Sequence, residues 1–283
     1  MKVINLFMTG LVILLLTGCG SSFNSNSSAL QKQENTSASE TGETEPFDLP
    51  EVAEISFQPL ELNELLEGEP REDWEYIKSV PLSVLKEKNV TLHVYKDTDP
   101  NGLCNNSTVS ILEYDDKKYE LNECTSEGLL QKYLEEIGAL YAIDHLFDDQ
   151  ERKQVVLTGI ELFANGPGRM IFVIYDITDE KFLTFEDWGI PFISDLEEGE
   201  DFLVVQFPGL HLHSPDVNIY RSVKGQLEKS QSLKEALEIS NQQEYLEFDG
   251  SRRLFIAYSP LDIGGEEFIK VQYKYENGKL VKY

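Results

Sequence analysis

One pattern constrains the fold of this chain more than any other: short runs of β-branched and aromatic residues, broken at close intervals by Gly, Pro, Asn and Asp. Such runs suit a pleated, half-buried surface, and the breaks carry turn chemistry. From Val90 onward the sequence therefore reads as strands and hairpins. The runs also repeat. A strand ending in tyrosine is followed by a polar turn and then by an apolar residue seven positions on, at Tyr114/Leu121, Tyr175/Phe182, Tyr220/Leu227 and Tyr273/Leu280. Upstream of each lies another strand: Val90 to Tyr95, Val155 to Phe163, Phe202 to Phe207 and Leu254 to Tyr258. The loops between contain Gly102, Gly166, Gly209 and Gly265. Self-similarity of this kind marks an architecture built from one supersecondary unit.

The expected fold is mainly β: repeated antiparallel meander units in a small or incomplete propeller-like arrangement, with a β-sandwich as the alternative. Two or three accessory helices are expected beside the strands. Glu127 to Phe147 places Leu130, Leu134, Ile137 and Tyr141 on one face behind Ser126 as N-cap, and Ser232-x-x-Glu235 is a capping box. Pro59 to Leu66 reads as a short third helix. The pattern has no strand–helix alternation with regular crossovers, which argues against a doubly wound α/β fold.

The amino terminus has a separate logic. Lys2 and the apolar run Leu6 to Leu16 read as a targeting segment, too short to span a bilayer as a helix. The run ends in Leu16-Thr17-Gly18-Cys19, which resembles the lipobox of bacterial lipoproteins at all four positions. That resemblance implies removal of residues 1–18 and a diacylglyceryl group, bearing palmitate-type chains, on the Cys19 thiol. Two acyl chains give a stable membrane anchor where one binds reversibly. Residues 19–45 are dominated by Ser, Asn, Gln, Thr and Glu and read as a disordered tether, leaving 46–283 as a β-rich extracytoplasmic domain. Gly20 after the anchor lacks the aspartate that retains some lipoproteins in an inner membrane, which favours the outer face of a Gram-positive cell membrane.

Acidic residues number 51 against 24 basic, a formal net charge of −27. Phosphate backbones need a basic surface, so nucleic acid is excluded as a partner. Besides Cys19 the chain has only Cys104 and Cys124, and in an exported protein two remaining cysteines suggest one disulfide.

The best local motif is Asp97-Thr98-Asp99-Pro100-Asn101-Gly102-Leu103-Cys104-Asn105. Oxygen-bearing side chains recur at its first, third and fifth places, with glycine sixth. It is similar to the calcium loops of FG-GAP and VCBS propeller repeats. The resemblance implies a structural calcium held by the side chains of Asp97, Asp99, Asn101 and Asn105 and the carbonyl of Leu103. Asn at the ninth place and Pro100 at the fourth depart from that pattern, and Thr108 stands where an EF-hand needs Glu. Asp99-Pro100-Asn101-Gly102 is equally a favoured turn sequence without metal. His211-Leu212-His213, if extended, puts two imidazoles on one face near Asp216; a surface loop is the plainer reading. The acid pairs Glu186/Asp187 and Glu197/Glu198 are assigned no catalytic role, because acids are so frequent here. Serine-hydrolase elbows, phosphate-binding glycine loops and the zinc-protease helix motif are absent from the sequence.

The function expected from these features is a membrane-anchored binding or interaction module needing no cofactor. Its ligand would be an unknown protein, glycan or small molecule. The alternatives are the solute-binding lipoprotein of an importer, or an extracellular hydrolase.

Overall fold

The computed structural model describes residues 47–85, 87–102, 104, 107–121, 124, 147–148, 153–161, 169–198, 200–210, 213–261 and 267–283. Three short strands come first: β1 (Val52–Glu54), β2 (Phe57–Pro59) and β3 (Asn63–Glu64). Four antiparallel meanders follow. The first is β4 (Trp74–Leu85), β5 (Lys88–Asp97), β6 (Thr108–Tyr114) and β7 (Lys117–Glu120). The second is β8 (Phe147–Asp148), β9 (Lys153–Glu161), β10 (Arg169–Asp176) and β11 (Lys181–Trp188). The third is β12 (Ile190–Glu197), β13 (Glu200–Phe207), β14 (Asp216–Val223) and β15 (Gln226–Ser230). A short helix, α1 (Leu233–Ala236), leads into the fourth: β16 (Tyr245–Asp249), β17 (Leu254–Pro260), β18 (Phe268–Glu276) and β19 (Lys279–Lys282). The protein is thus mainly β and built of repeated antiparallel meanders.

The last three strands of each meander are the units seen in the sequence; each gains an opening strand, β4, β8, β12 or β16. Three of the closing hairpins turn on two residues in the left-handed region: Asp115-Asp116 (φ 54° and 61°), Lys224-Gly225 (50° and 74°) and Asn277-Gly278 (51° and 77°). This geometry matches the twist of the flanking strands and favours Asn, Asp and Gly. The recurring tyrosine is less regular than its spacing implies. Tyr220 faces Lys229 and Tyr273 faces Lys282, equivalent places, but Tyr114 abuts its turn opposite Lys117 and Tyr175 faces Phe182. What the four tyrosines share is burial.

Two helix expectations change. Pro59 to Leu66 is no helix: Pro59 ends β2 and Asn63–Glu64 form β3, because both segments add to sheet edges supplied from far along the chain. The proposed helix from Glu127 ends differently as well, since Phe147 opens β8; residues 127–146 lie outside the described residues. Among the described residues α1 is the one helix.

Successive sheets share cores. Leu92 and Leu112 of the first, Phe172 and Ile174 of the second and Leu203 and Val205 of the third belong to one apolar cluster. Phe202 and Val204 belong to another, with Phe255, Tyr273 and Leu280 of the fourth sheet. Successive residues of a strand point to opposite faces, so β13 is a wall common to both cores. Aromatic pairs cross each junction: Tyr114 with Tyr175 (ring centroids 5.3 Å apart), Phe185 with Tyr220 (5.1 Å) and Phe202 with Tyr275 (5.2 Å). Edge-on and offset ring contacts are worth about 0.5–1.5 kcal/mol beyond area burial. Among the described residues neither cluster joins the first sheet to the fourth, and no sheet closes into a barrel. Open sheets layered in this way are consistent with the sandwich-like alternative.

Residues 47–68 form a strap across all four meanders. β1 pairs with β19, β2 with β15 and β3 with β11, each becoming a fifth strand, and Glu67 bridges to Tyr119 of β7. The strap therefore meets the sheets in the reverse of their sequence order. Its carboxylates match lysines on the closing strands: Glu51 with Lys282 (2.9 Å), Glu54 with Lys279 (2.6 Å), Glu64 with Lys181 (3.5 Å) and Glu67 with Lys117 (2.7 Å). Each exposed pair contributes at most about 1 kcal/mol, so they favour the register more than they hold the strap down. Leu49, Ala53, Ile55 and Leu65, all buried, do that.

Candidate functional site

The Asp97 loop joins β5 to β6 beside the disulfide Cys104–Cys124, whose Cα atoms are 5.4 Å apart. Cys104 packs with Trp74, Val109 and Ile111 in a small third cluster. Asp97 is 1% exposed, and its carboxylate is turned into its own loop. It accepts hydrogen bonds from the Cys104 N–H (2.9 Å) and the Asp99 N–H (3.2 Å). Gly102 leaves room for that carboxylate: a Cβ there would press on it, 2.6 Å from Asp97 Oδ1. The Asp99 carboxylate accepts from the Asn101 N–H (2.8 Å) and its carbonyl accepts from the Gly102 N–H (3.0 Å), closing a turn. Asp97, Asp99 and Asn101 thus meet in one hydrogen-bonded turn; Leu103 and Asn105 lie outside the described residues.

A second candidate is an open depression of about 830 Å³ where β14 and α1 meet, lined by His213, Ser214, Asp216, Ser232, Lys234 and Glu238 among others. Ser232 caps α1 as expected, accepting from the Glu235 N–H (3.1 Å). Asp216, from the start of β14, completes the cap. Its carboxylate accepts from the Ser232 hydroxyl, the Val217 N–H (2.7 Å) and the Lys234 N–H (3.1 Å). The Lys234 ammonium donates to the Ser214 hydroxyl and to the Glu244 carbonyl (2.8 Å). Burial raises the Asp216 pKa above its ordinary 3.8, against the pull of the Ser232, Val217 and Lys234 donors. Burial also lowers that of Lys234, against the attraction of Asp216 and Glu244.

The sign of the Asp216 effect is testable. A carboxylate whose folded pKa exceeds its unfolded value holds its proton more tightly when folded, so it lowers stability as pH rises from about the ordinary carboxylate value through the folded one. Asp216→Asn should flatten that part of the stability curve while keeping an acceptor for the helix amides. Urea midpoints of both proteins at several pH values between acid and neutral would check it, and parallel curves would mean that Asp216 is not perturbed.

Of the histidine motif only His213 lies among the described residues: it exchanges backbone hydrogen bonds of 2.9 Å each way with Leu210 as an isolated antiparallel bridge. His211 lies outside the described residues, and the Asp216 carboxylate faces the helix cap. Among the described residues no group of three His, Cys, Asp or Glu side chains is placed to hold a metal ion.

Asp187, given no catalytic role from sequence, has a definite structural one. It accepts from the Tyr220 hydroxyl and from Lys229 Nζ (2.9 Å), tying the last strand of the second sheet to the third. Burial and the Asp187 charge push the Tyr220 pKa well up, so the phenol stays a donor.

Among the described residues neither loop nor depression brings a nucleophile, base and oxyanion donors together. The comparisons with known proteins add no direction. No protein-family model matches the chain, and no curated protein is significantly similar to it. The Lys234–Ser214–Glu244 contacts were not legible in sequence: their partners lie 10–20 residues apart, and only the capping box pointed to the region.

Proposed function

We propose that this chain is a lipoprotein anchored through Cys19 at the extracytoplasmic face of a cell membrane, where its β domain acts as a binding module. The observation that carries the reading is the lipobox-like Leu16-Thr17-Gly18-Cys19 directly after an apolar run. The strap supports it: residues 47–68 are fixed to every sheet before the first meander begins, a sturdy attachment for whatever precedes them. Layered open sheets present loops and faces as binding surfaces on a rigid scaffold. Two α/β lobes around a cleft, the usual form of an importer's solute-binding lipoprotein, are not the architecture of the described residues.

The test is mass spectrometry of the chain expressed with its leader in a bacterial host. A mature amino terminus at Cys19 carrying a diacylglyceryl mass, with Cys19→Ala moving the protein out of the membrane fraction, supports the anchor. An unmodified Cys19, or a Cys19→Ala chain that stays in that fraction, overturns it. The calcium reading of the Asp97 loop belongs to the same proposal. A melting temperature raised by calcium and restored by chelator supports it. One that ignores both leaves the carboxylate serving the turn alone.

A further inference from the structure

Leu92 and Val94 of β5 point into the core, so His93 and Tyr95, which alternate with them, point to the outer face of the first sheet. A chain of hydrogen bonds crosses that face over three neighbouring strands. Ser79 of β4 lies directly opposite His93, and its Oγ is 2.7 Å from His93 Nδ1. On the far side of the ring, Nε2 is 3.1 Å from the Glu113 carboxylate of β6. Tyr76, three residues before Ser79, brings its hydroxyl to 2.8 Å from the same Oγ. The Tyr76 ring meets Tyr95 edge-on, with centroids 5.8 Å apart, and Tyr95 lies 6.1 Å from Trp74. Ser79 and Tyr76 are exposed, whereas the His93 side chain is only 18% exposed.

The end of this chain fixes the direction of every bond in it. A carboxylate only accepts, so in the neutral ring Nε2–H donates to Glu113 and Nδ1 turns its lone pair to Ser79. The Ser79 hydroxyl then donates to Nδ1, and the Tyr76 hydroxyl donates to Ser79 Oγ. Lys118, which faces Glu113 across the strand pair, carries its ammonium to Glu69 (2.8 Å) and leaves the Glu113 carboxylate to the imidazole. A serine hydroxyl on the lone pair of a carboxylate-held imidazole is the arrangement that activates a nucleophile for acyl transfer, and it is recognised by geometry rather than sequence position. Here the ring nitrogens exchange their usual places, Nδ1 taking the serine and Nε2 the carboxylate. Either nitrogen is a base once the other holds the proton. No local motif announces the set, because Ser79 and His93 are 14 residues apart, His93 and Glu113 are 20, and each sits on its own strand.

We propose that Tyr76, Ser79, His93 and Glu113 form an esterase site, with Ser79 as nucleophile and His93 as its general base. This activity goes beyond the binding reading and stands on its own geometry. Ser79 Oγ attacks the carbonyl carbon of an ester while its proton passes to His93 Nδ1. The Tyr76 hydroxyl, released from Oγ, donates to the carbonyl oxygen as charge develops there. The bond from the carbonyl carbon to the alcohol oxygen breaks, and the alcohol leaves with the proton from Nδ1. Water then attacks the acyl carbon and gives a proton to Nδ1. The bond to Ser79 breaks, Oγ takes that proton back, and the carboxylic acid departs. Glu113 touches no reacting atom; it is a positioning residue that holds the proton on Nε2 and keeps Nδ1 free to act. One side-chain donor on an open face suits an ester with a good leaving group rather than an amide. The Tyr76 and Tyr95 rings beside the nucleophile suit an apolar acyl or aryl group.

The experiment is treatment of the full-length protein in detergent with an alkyl fluorophosphonate, the modified residue being read by peptide mass spectrometry. The Oγ–phosphorus bond forms as the phosphorus–fluorine bond breaks, fluoride leaves and the proton passes to His93. A single adduct on Ser79 is expected, absent from Ser79→Ala and formed about a hundredfold more slowly in His93→Gln, as loss of a general base implies. Ser214→Ala, which removes the hydroxyl beside Lys234 in the depression, should label as the parent does. Hydrolysis of p-nitrophenyl butyrate should follow the same order. Glu113→Gln should lower kcat and leave KM unchanged, because an amide N–H turned to Nε2 reverses the tautomer. An unlabelled Ser79 in the parent chain overturns the proposal without recourse to any variant. Labelling of His93→Gln at the parent's rate overturns it too, as does butyrate hydrolysis that survives Ser79→Ala.

Discussion

A chain lacking residues 47–67 should not fold to a monomer. Removing the strap strips the fifth strand from three sheets, baring the edges of β19, β15 and β11, and exposes the sites of Leu49, Ala53, Ile55 and Leu65. Burying one large aliphatic side chain contributes roughly 1.5–3 kcal/mol. Losing the three large ones, Leu49, Ile55 and Leu65, therefore approaches the whole net stability of a typical domain, about 5–15 kcal/mol. Bare edges also invite pairing between copies. Size-exclusion chromatography and urea unfolding of the truncated chain should show aggregation and loss of a cooperative transition. A peptide of residues 47–67 supplied in trans should restore both, by strand addition. A truncated chain that remains monomeric, with the parent's midpoint, would mean that the strap is ornamental.

Gly189→Ala is the single substitution expected to cost most, about 3 kcal/mol, the upper end for overpacking a tight site. Gly189 is the one residue between β11 and β12, where the chain steps from the second sheet to the third. Its φ of 156° is rarely adopted by other residues. A Cβ there would lie 2.5 Å from Val205 Cγ1 and 2.6 Å from the Gln206 carbonyl oxygen. That carbonyl belongs to β13, whose register with β12 is fixed by the Ile190–Gln206 pair, so the backbone has little room to give. Gly278→Ala is the control. Its φ of 77° is also left-handed, yet an added Cβ would meet nothing nearer than Arg221 Nη1 at 4.0 Å. Its cost should be conformational alone, about 1–2 kcal/mol. Chemical denaturation of both variants separates the two effects, and equal losses would argue against a steric origin at Gly189.

The parts of this fold that sequence disclosed are those written locally. Asn277-Gly278 and Lys224-Gly225 between alternating strands specify hairpins over a few residues, and the strands around them followed. Opening strands were harder. β4 contains two register shifts, at Tyr76/Lys78 and Pro81/Ser83, which break the alternation that identifies a strand, and β8 has only two residues. The strap was misread for a related reason. Strands of two or three residues carry almost no periodic signal, and β1, β2 and β3 are extended only because closing strands more than a hundred residues away supply their partners. The candidate site divides similarly. Ser232 announced its cap, whereas Asp216 reaches the same helix from 16 residues upstream. The turn around Asp97 was visible as a turn, but the burial of its carboxylate against Gly102 belongs to the folded loop.

The strap also gives the protein an order in time. Synthesis delivers residues 47–67 first, yet every edge they complete arrives later. Tyr119 can bridge to Glu67 as soon as the first meander is made; β11, then β15, then β19 follow. Docking can therefore proceed from the strap's carboxyl end towards its amino end, one sheet per step as the chain emerges. The final step joins Glu51 to Lys282, 231 residues apart. Until then β1 has no edge to occupy, and a nascent chain stalled before β18 would carry an unpaired strand at its leading end.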